Sequence, residues 1–141
     1  MTGSLVGHSD SNGDEDTGHL HVTYANNYWS NVSSRLPSIR FGTGHIFNNY
    51  YDGVLSSGID TRDGAQVLVE SNVFVDAKKP LASLYSDDEG YAVSKDNDFG
   101  DAENAAPEGT LTSVPYEYSL LGSANVKSAV VGTAGNTLSF E

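Results

Sequence analysis

Apolar residues along this chain fall in short runs broken by turn residues, with no stripe at helical spacing. His21 to Tyr24, His45 to Phe47, Gln66 to Val69 and Tyr91 to Val93 are each three or four residues rich in β-branched, aliphatic or aromatic side chains. Runs of this length bounded by Gly, Asn, Asp and Ser predict strands. A second set alternates in the manner of a half-buried strand: Ile39-Arg40-Phe41, and Gly58 to Arg62 one period later. If Ile39 and Phe41 face inward, Arg40 faces out.

The strand signals repeat. Each of the first four runs is followed by Asn, any residue, and an aromatic: Asn27-Tyr28-Trp29, Asn49-Tyr50-Tyr51, Asn72-Val73-Phe74 and Asn97-Asp98-Phe99. The asparagines are 22, 23 and 25 residues apart. That period is too short for most paired-helix repeats and fits an all-β solenoid, a parallel β-helix. In such a coil, equivalent residues stack about 4.8 Å apart. Four asparagines at one turn can then form a ladder of amide hydrogen bonds, with the aromatics stacked inside. The coils are expected over residues 1–100. Beyond Gly100 the pattern stops, and residues 101–141 read as a tail that packs back on the solenoid. Pro107 and Pro115 mark it as irregular, and residues 125–131 could form a short helix ended by Gly132.

Composition agrees with many strands and turns. Hydrophobic residues make up 38% of the chain and Gly alone contributes 15 positions, which does not suit a helical bundle. With no cysteine, a disulfide framework or a thiolate metal site is excluded. No apolar run is long enough to cross a bilayer, and the first residues lack the basic and apolar segments of a secretion signal. The formal charge is 7 − 19 = −12, which argues against generic binding to nucleic acid. Its distribution is uneven. All three arginines, Arg35, Arg40 and Arg62, lie in residues 20–79, where five bases meet five acids; residues 80–141 hold ten acids and two bases.

Those arginines are the candidate chemistry. In Ser34-Arg35-Leu36-Pro37-Ser38-Ile39-Arg40-Phe41-Gly42, Pro37 biases Leu36 toward extended backbone and places Arg35 at a bend. Arg62 follows Arg40 by 22 residues, one coil, so the two should stack on the same outer face. Like charges at that spacing repel unless an anion sits between them, and arginine suits bidentate recognition of a carboxylate. The alternative is pairing with nearby acids such as Asp60, Asp63 or Glu70.

Here the sequence resembles a known family. His8-Ser9-Asp10, Val22 to Trp29, Ser34 to Gly42, Gly44 to Tyr51 and Gly64 to Glu70 are similar to consecutive segments of fungal and bacterial pectate lyases, and the similarity covers nearly the whole chain. Its most specific element is Arg-x-Pro-x-x-Arg-x-Gly followed by His-x-x-Asn-Asn. The resemblance implies the C-terminal portion of a right-handed parallel β-helix enzyme, secreted and monomeric when complete. It implies cleavage of polygalacturonate by calcium-assisted β-elimination, giving 4,5-unsaturated products. Arg35 matches the family's proton-abstracting arginine, and Arg40 and Arg62 match substrate-binding ones. An arginine base needs crowded positive charge to disfavour its protonated form. The alternatives are a non-catalytic pectin-binding fragment and a pectin lyase acting on methylated substrate.

Two departures follow from the same resemblance. The family's calcium ligands lie upstream of the segment matching Leu5 to His8, so calcium would be held outside these residues, and no metal ligand is assigned here. A substrate-binding lysine of the family is replaced by Thr2 or Gly3. The chain alone is therefore expected to be a poor lyase with an exposed first coil. Among lesser features, Asp10 to Asp16 reads as a solvated acidic loop, because Glu15 stands where a calcium-binding EF-hand loop needs glycine. His8 and His45 are expected to be structural hydrogen-bonders, and Lys78 and Lys79 surface charges. Asn31-Val32-Ser33 is a glycosylation triplet.

Overall fold

The computed structural model describes residues 1–140. Its elements in chain order are β1 (Leu5–Val6), α1 (Gly13–Asp16), β2 (His21–Ala25), β3 (Tyr28–Ser30), β4 (Ser38–Arg40), β5 (Thr43–Phe47) and β6 (Tyr50–Val54). They continue as β7 (Ile59–Arg62), β8 (Gln66–Glu70), β9 (Val73–Ala77), β10 (Leu81–Ala82), β11 (Tyr91–Lys95) and α2 (Ser123–Val130). The strands form three sheets, ordered β1-β4-β7-β10, β2-β5-β8-β11 and β3-β6-β9. Every strand pair is parallel. Each sheet takes every third strand, so the chain winds as the expected parallel β-helix of about three turns.

The register is the sequence period made physical. Tyr28 pairs with Tyr50 and Tyr50 with Val73, while Thr43 pairs with Gln66 and Gln66 with Tyr91. Asn27 Nδ2 donates to Asn49 Oδ1, Asn49 Nδ2 to Asn72 Oδ1 and Asn72 Nδ2 to Asn97 Oδ1, each at 3.0 Å. The same oxygens accept the backbone N–H of Asn27, Asn49 and Asn72. A turn that buries its backbone thus satisfies its donors from the coil below. The corner needs a left-handed residue before each asparagine, and Asn26, Asn48, Ser71 and Asp96 supply it with φ between 49° and 59°. Asparagine, aspartate and serine reach that region by bonding locally.

The aromatics of the repeat stack inside. Trp29 and Tyr51 lie 6.0 Å apart and Tyr51 and Phe74 4.2 Å apart, each pair within 2° of parallel; Phe99 continues at 5.5 Å but tilted by 45°. They share the core with Leu36, Ile39, Ile46, Ile59, Val67 and Leu81.

The structure departs from the sequence pattern in three places. The aromatic positions belong to a third sheet, which the turn-like asparagines concealed. Phe41 is not part of the interior: β4 ends at Arg40, Phe41 turns left-handed (φ 60°), and its ring lies against Gly13. The acidic loop contains a single helical turn, α1, with no buried residue.

Past β11 the chain crosses the outer face of the second sheet. Tyr116 and Tyr118 reach His45 and Glu70 there, and α2 seats Val126 and Val130 against Tyr50 and Val73. Val131 caps α2, and Gly132 adopts φ 90° just past it.

Candidate functional site

Arg35 stands where the chain leaves the third sheet for the first. Its φ of 61° makes the bend, and Leu36 behind it is fully buried and joined to Pro37 by a cis peptide bond. Ser38 and Ile39 then enter β4. The inward Ile39 forces Arg40 outward, and the register of β4 on β7 sets Arg40 directly beside Arg62.

The two arginines are held by aspartates. Asp10, from the loop after β1, accepts from Arg40 Nε and, at 3.2 Å, from Arg62 Nη2 through the same oxygen. Asp63 Oδ2 lies 3.7 Å from Arg40 Nε, and Asp60 Oδ2 lies 3.9 Å from Arg62 Nε. Arg40 also donates to the Gly7 carbonyl at 2.6 Å. Arg62, although on the outer face of its strand, is only 3% exposed. The loop after β10 covers it: Arg62 donates to Ser86 Oγ at 2.7 Å and to the Tyr85 carbonyl at 3.2 Å.

Burial and charge act differently on each group. Burial, opposed by several hydrogen bonds, raises Asp60 above the usual carboxylate range. Burial and the neighbouring Asp10 raise Asp63. Asp10 is lowered, first by its hydrogen bond from Arg40. Arg62 is lowered by burial and by the adjacent Arg40. An arginine base would require crowded positive charge at this place. The structure instead sets three aspartates against three arginines, so the cluster is close to neutral. Of the acids weighed as partners, Asp60 and Asp63 do pair with arginine. Glu70 does not: it lies under the tail, accepting from Tyr118 at 2.6 Å and lying 3.0 Å from His45 Nε2.

Arg35 is the exception within the cluster. Among the described residues no carboxylate lies within 4.0 Å of its guanidinium. Its buried Nε has no hydrogen-bond partner, and its guanidinium carbon lies 5.4 Å from the centre of the Tyr85 ring. The Tyr85 hydroxyl is in turn fixed to Ser57 Oγ.

Tyr85 and Ser86 were not singled out by the sequence, and Asp10 entered only within the His8-Ser9-Asp10 segment and the acidic loop, without a role beside the arginines. Tyr85 follows Arg62 by 23 residues, one coil period, so spacing could have drawn attention to it. Asp10 carries no such signal. His45 is a structural hydrogen-bonder as expected, held by Tyr116 and Glu70, whereas His8 makes no side-chain hydrogen bond among the described residues. Lys78 and Lys79 are exposed.

No group of three or more His, Asp or Glu among the described residues is placed to hold a metal ion. Asp10, Asp60 and Asp63 are turned to guanidinium groups, so the acids nearest the arginines do not fit a calcium site.

Fold and cluster together define a parallel β-helix protein with an arginine-rich outer face. Residues 1–139 match the family model described as pectate lyase, and the chain belongs to that family. Pectate lyase A of Aspergillus niger is 75% identical over 137 residues, which are 97% of this chain and 41% of that protein. The chain thus spans about two fifths of the length of the curated relatives it matches. A doubly substituted pectate lyase from Xanthomonas campestris superposes with a TM-score of 0.82 at 35% identity, over 93% of this chain and 44% of that one. Pectate lyase C from Erwinia chrysanthemi, solved at pH 9.5 with 30 mM Ca2+, gives 0.78 at 30% identity, over 97% of this chain and 44% of its own.

Proposed function

We propose that these residues carry the proton-abstracting and uronate-binding part of an extracellular polygalacturonate lyase. The observation that supports this best is the contrast among three neighbouring arginines. Arg40 and Arg62 stand in register as a pair already occupied by a carboxylate, and Arg35 in the same cluster has no carboxylate within 4.0 Å among the described residues. The pair fits a uronate carboxylate, and the guanidinium without a close acid is left free for the base role that its match to the family gives it.

In this reading Arg35 takes the proton from C5, α to the carboxylate. The C5–H electrons form the double bond between C4 and C5, the C4–O bond breaks, and the departing oxygen gains a proton from solvent. Arg40 and Arg62 stabilise the charge that gathers on the carboxylate as C5 loses its proton. The Tyr85 ring bears on Arg35 and limits its orientation. Guanidinium groups hold their protons far above neutral pH, so the reaction runs best in alkaline solution. Calcium belongs to this chemistry in the family reading. The acids among the described residues offer it no site, and nothing in the steps above passes through it.

The test places this segment in a protein of its relatives' full length and follows the absorbance of the unsaturated uronide. Arg35→Lys should remove nearly all turnover while trigalacturonate still binds. Retention of most of the rate would take the base role from Arg35.

A further inference from the structure

Asn31-Val32-Ser33 is the only Asn-x-Ser/Thr triplet in the sequence, and the function proposed above leaves it unused. Such a triplet is an acceptor for N-linked glycan where it ends on the surface of an exported protein. A triplet alone says little. Its place in this fold says more.

Five asparagines of the coils, Asn27, Asn48, Asn49, Asn72 and Asn97, spend their amides on hydrogen bonds. Asn31 makes no side-chain hydrogen bond among the described residues, nor does the Ser33 hydroxyl. Asn31 is exposed, just past the end of β3, in a left-handed turn with φ 55°. The backbone holds the turn, since Asn31 N–H donates to the Asp52 carbonyl at 2.8 Å. The equivalent position on the next coil is Gly53, with φ 77°. A Cβ there would come within 2.5 Å of the Asn31 side-chain oxygen, so the missing side chain makes room for the Asn31 amide. Beside it lies Leu55, whose N–H donates to the Val32 carbonyl and which is 65% exposed. An exposed leucine at a solenoid corner gains cover from a sugar placed over it.

We propose that Asn31 is an N-glycosylation site whose first sugar lies over the corner formed with Leu55. In the transfer, Asn31 Nδ2 bonds to the anomeric carbon of an oligosaccharide carried on a lipid diphosphate. The nitrogen loses a proton, and the lipid diphosphate leaves. This rests on the reading that the protein is exported, because the donor is met only in the secretory pathway.

The 141-residue chain is directed through a yeast secretory pathway behind a heterologous leader, and its peptides are weighed before and after amidase release of N-glycans. The expected result is a glycan-bearing peptide that release leaves with aspartate at position 31, lost in Ser33→Ala and kept in Ser33→Thr. Transfer precedes folding, so the readout survives a poorly folding variant. Secreted wild-type chain with an unmodified Asn31 overturns the proposal. The protein made in its own host separates the two readings. Found in the medium with a bare Asn31, it sinks the site and leaves export standing. Retained inside the cell while the leader-directed chain is glycosylated, it sinks export and leaves the acceptor standing.

Discussion

Arg40 and Arg62, one coil apart and in register, share a single oxygen of Asp10. Two guanidinium groups at strand spacing need an anion between them, and in this structure the protein supplies its own. Asp10 differs from the other two acids of the cluster. Its side chain is 48% exposed, against 5% for Asp63 and 0% for Asp60. It sits on the outside of the pair, where a ligand carboxylate would arrive.

A uronate that binds this pair competes with Asp10. Asp10→Asn should therefore tighten trigalacturonate binding severalfold in a protein of the relatives' full length, and the gain should shrink as salt is added. Calorimetry at two ionic strengths reads both effects. Weaker binding in Asp10→Asn would show that Asp10 orients the arginines instead of competing for them.

The asparagine ladder carries stability that its partners cannot replace. Asn72 is fully buried, and its oxygen serves two donors of Asn49. Asn72→Ala leaves those two donors without partners and the Asn97 oxygen with only the backbone N–H of residue 72, for an expected loss of about 3 kcal/mol or more. Asn27 stands at the ladder's end with nothing stacked beyond it among the described residues, and Asn27→Ala should cost about 1 kcal/mol. Urea denaturation of the two variants gives the comparison, and equal losses would contradict the ladder as a chain of unequal links.

Tyr51 lies inside the aromatic stack with its hydroxyl buried and unpartnered. Burial pushes that hydroxyl well above the ordinary tyrosine range. Tyr51→Phe keeps the stacking and removes the unmet polar atom, so it should raise stability by about 1 kcal/mol. Phe74→Ala, one coil on, removes a stacked ring from a packed interior and should cost about 3 to 5 kcal/mol. Thermal denaturation distinguishes the signs.

The tail is tied to the second sheet by a titratable cluster. Tyr118 donates to Glu70, Glu70 lies against His45, and His45 meets the Tyr116 hydroxyl, which also contacts Thr23. The hydrogen bond to Glu70 and burial push Tyr118 up to about 12 from 10.0. A folded value above the unfolded one means stability present below pH 10 and lost as pH rises toward 12. His45 is shifted the other way: burial, outweighing Glu70, holds it below 6.5. Its contribution is present above pH 6.5 and lost as pH falls through the depressed folded value. Protease cleavage between residues 101 and 122 should therefore be slowest between those limits and rise at both. In Glu70→Gln the tyrosinate absorbance of Tyr118 should return toward the ordinary range, and the alkaline limit should move down.

The solenoid is legible in residue spacing alone. A coil that stacks on its neighbour must present the same residue types at the same turn, so Asn27, Asn49, Asn72 and Asn97 recur at the period and can be read without coordinates. The same logic placed Arg40 beside Arg62, because their spacing equals one coil. The third sheet was hidden, since its strands begin at the turn asparagines and their aromatics look like part of the turn. Phe41 was misread because alternation cannot register a left-handed residue that ends a strand. The charge state of the cluster lay beyond the sequence altogether. Asp10 comes from a loop 30 residues from Arg40 and 52 from Arg62, and no period links them. Glu70, also a carboxylate and nearer in sequence to Arg62, went to His45 instead. Periodic contacts are written in spacing. Which acid meets which arginine is settled only when loops fold over a finished face, since the pairing energy depends on distance and burial, and neither is a property of the chain order.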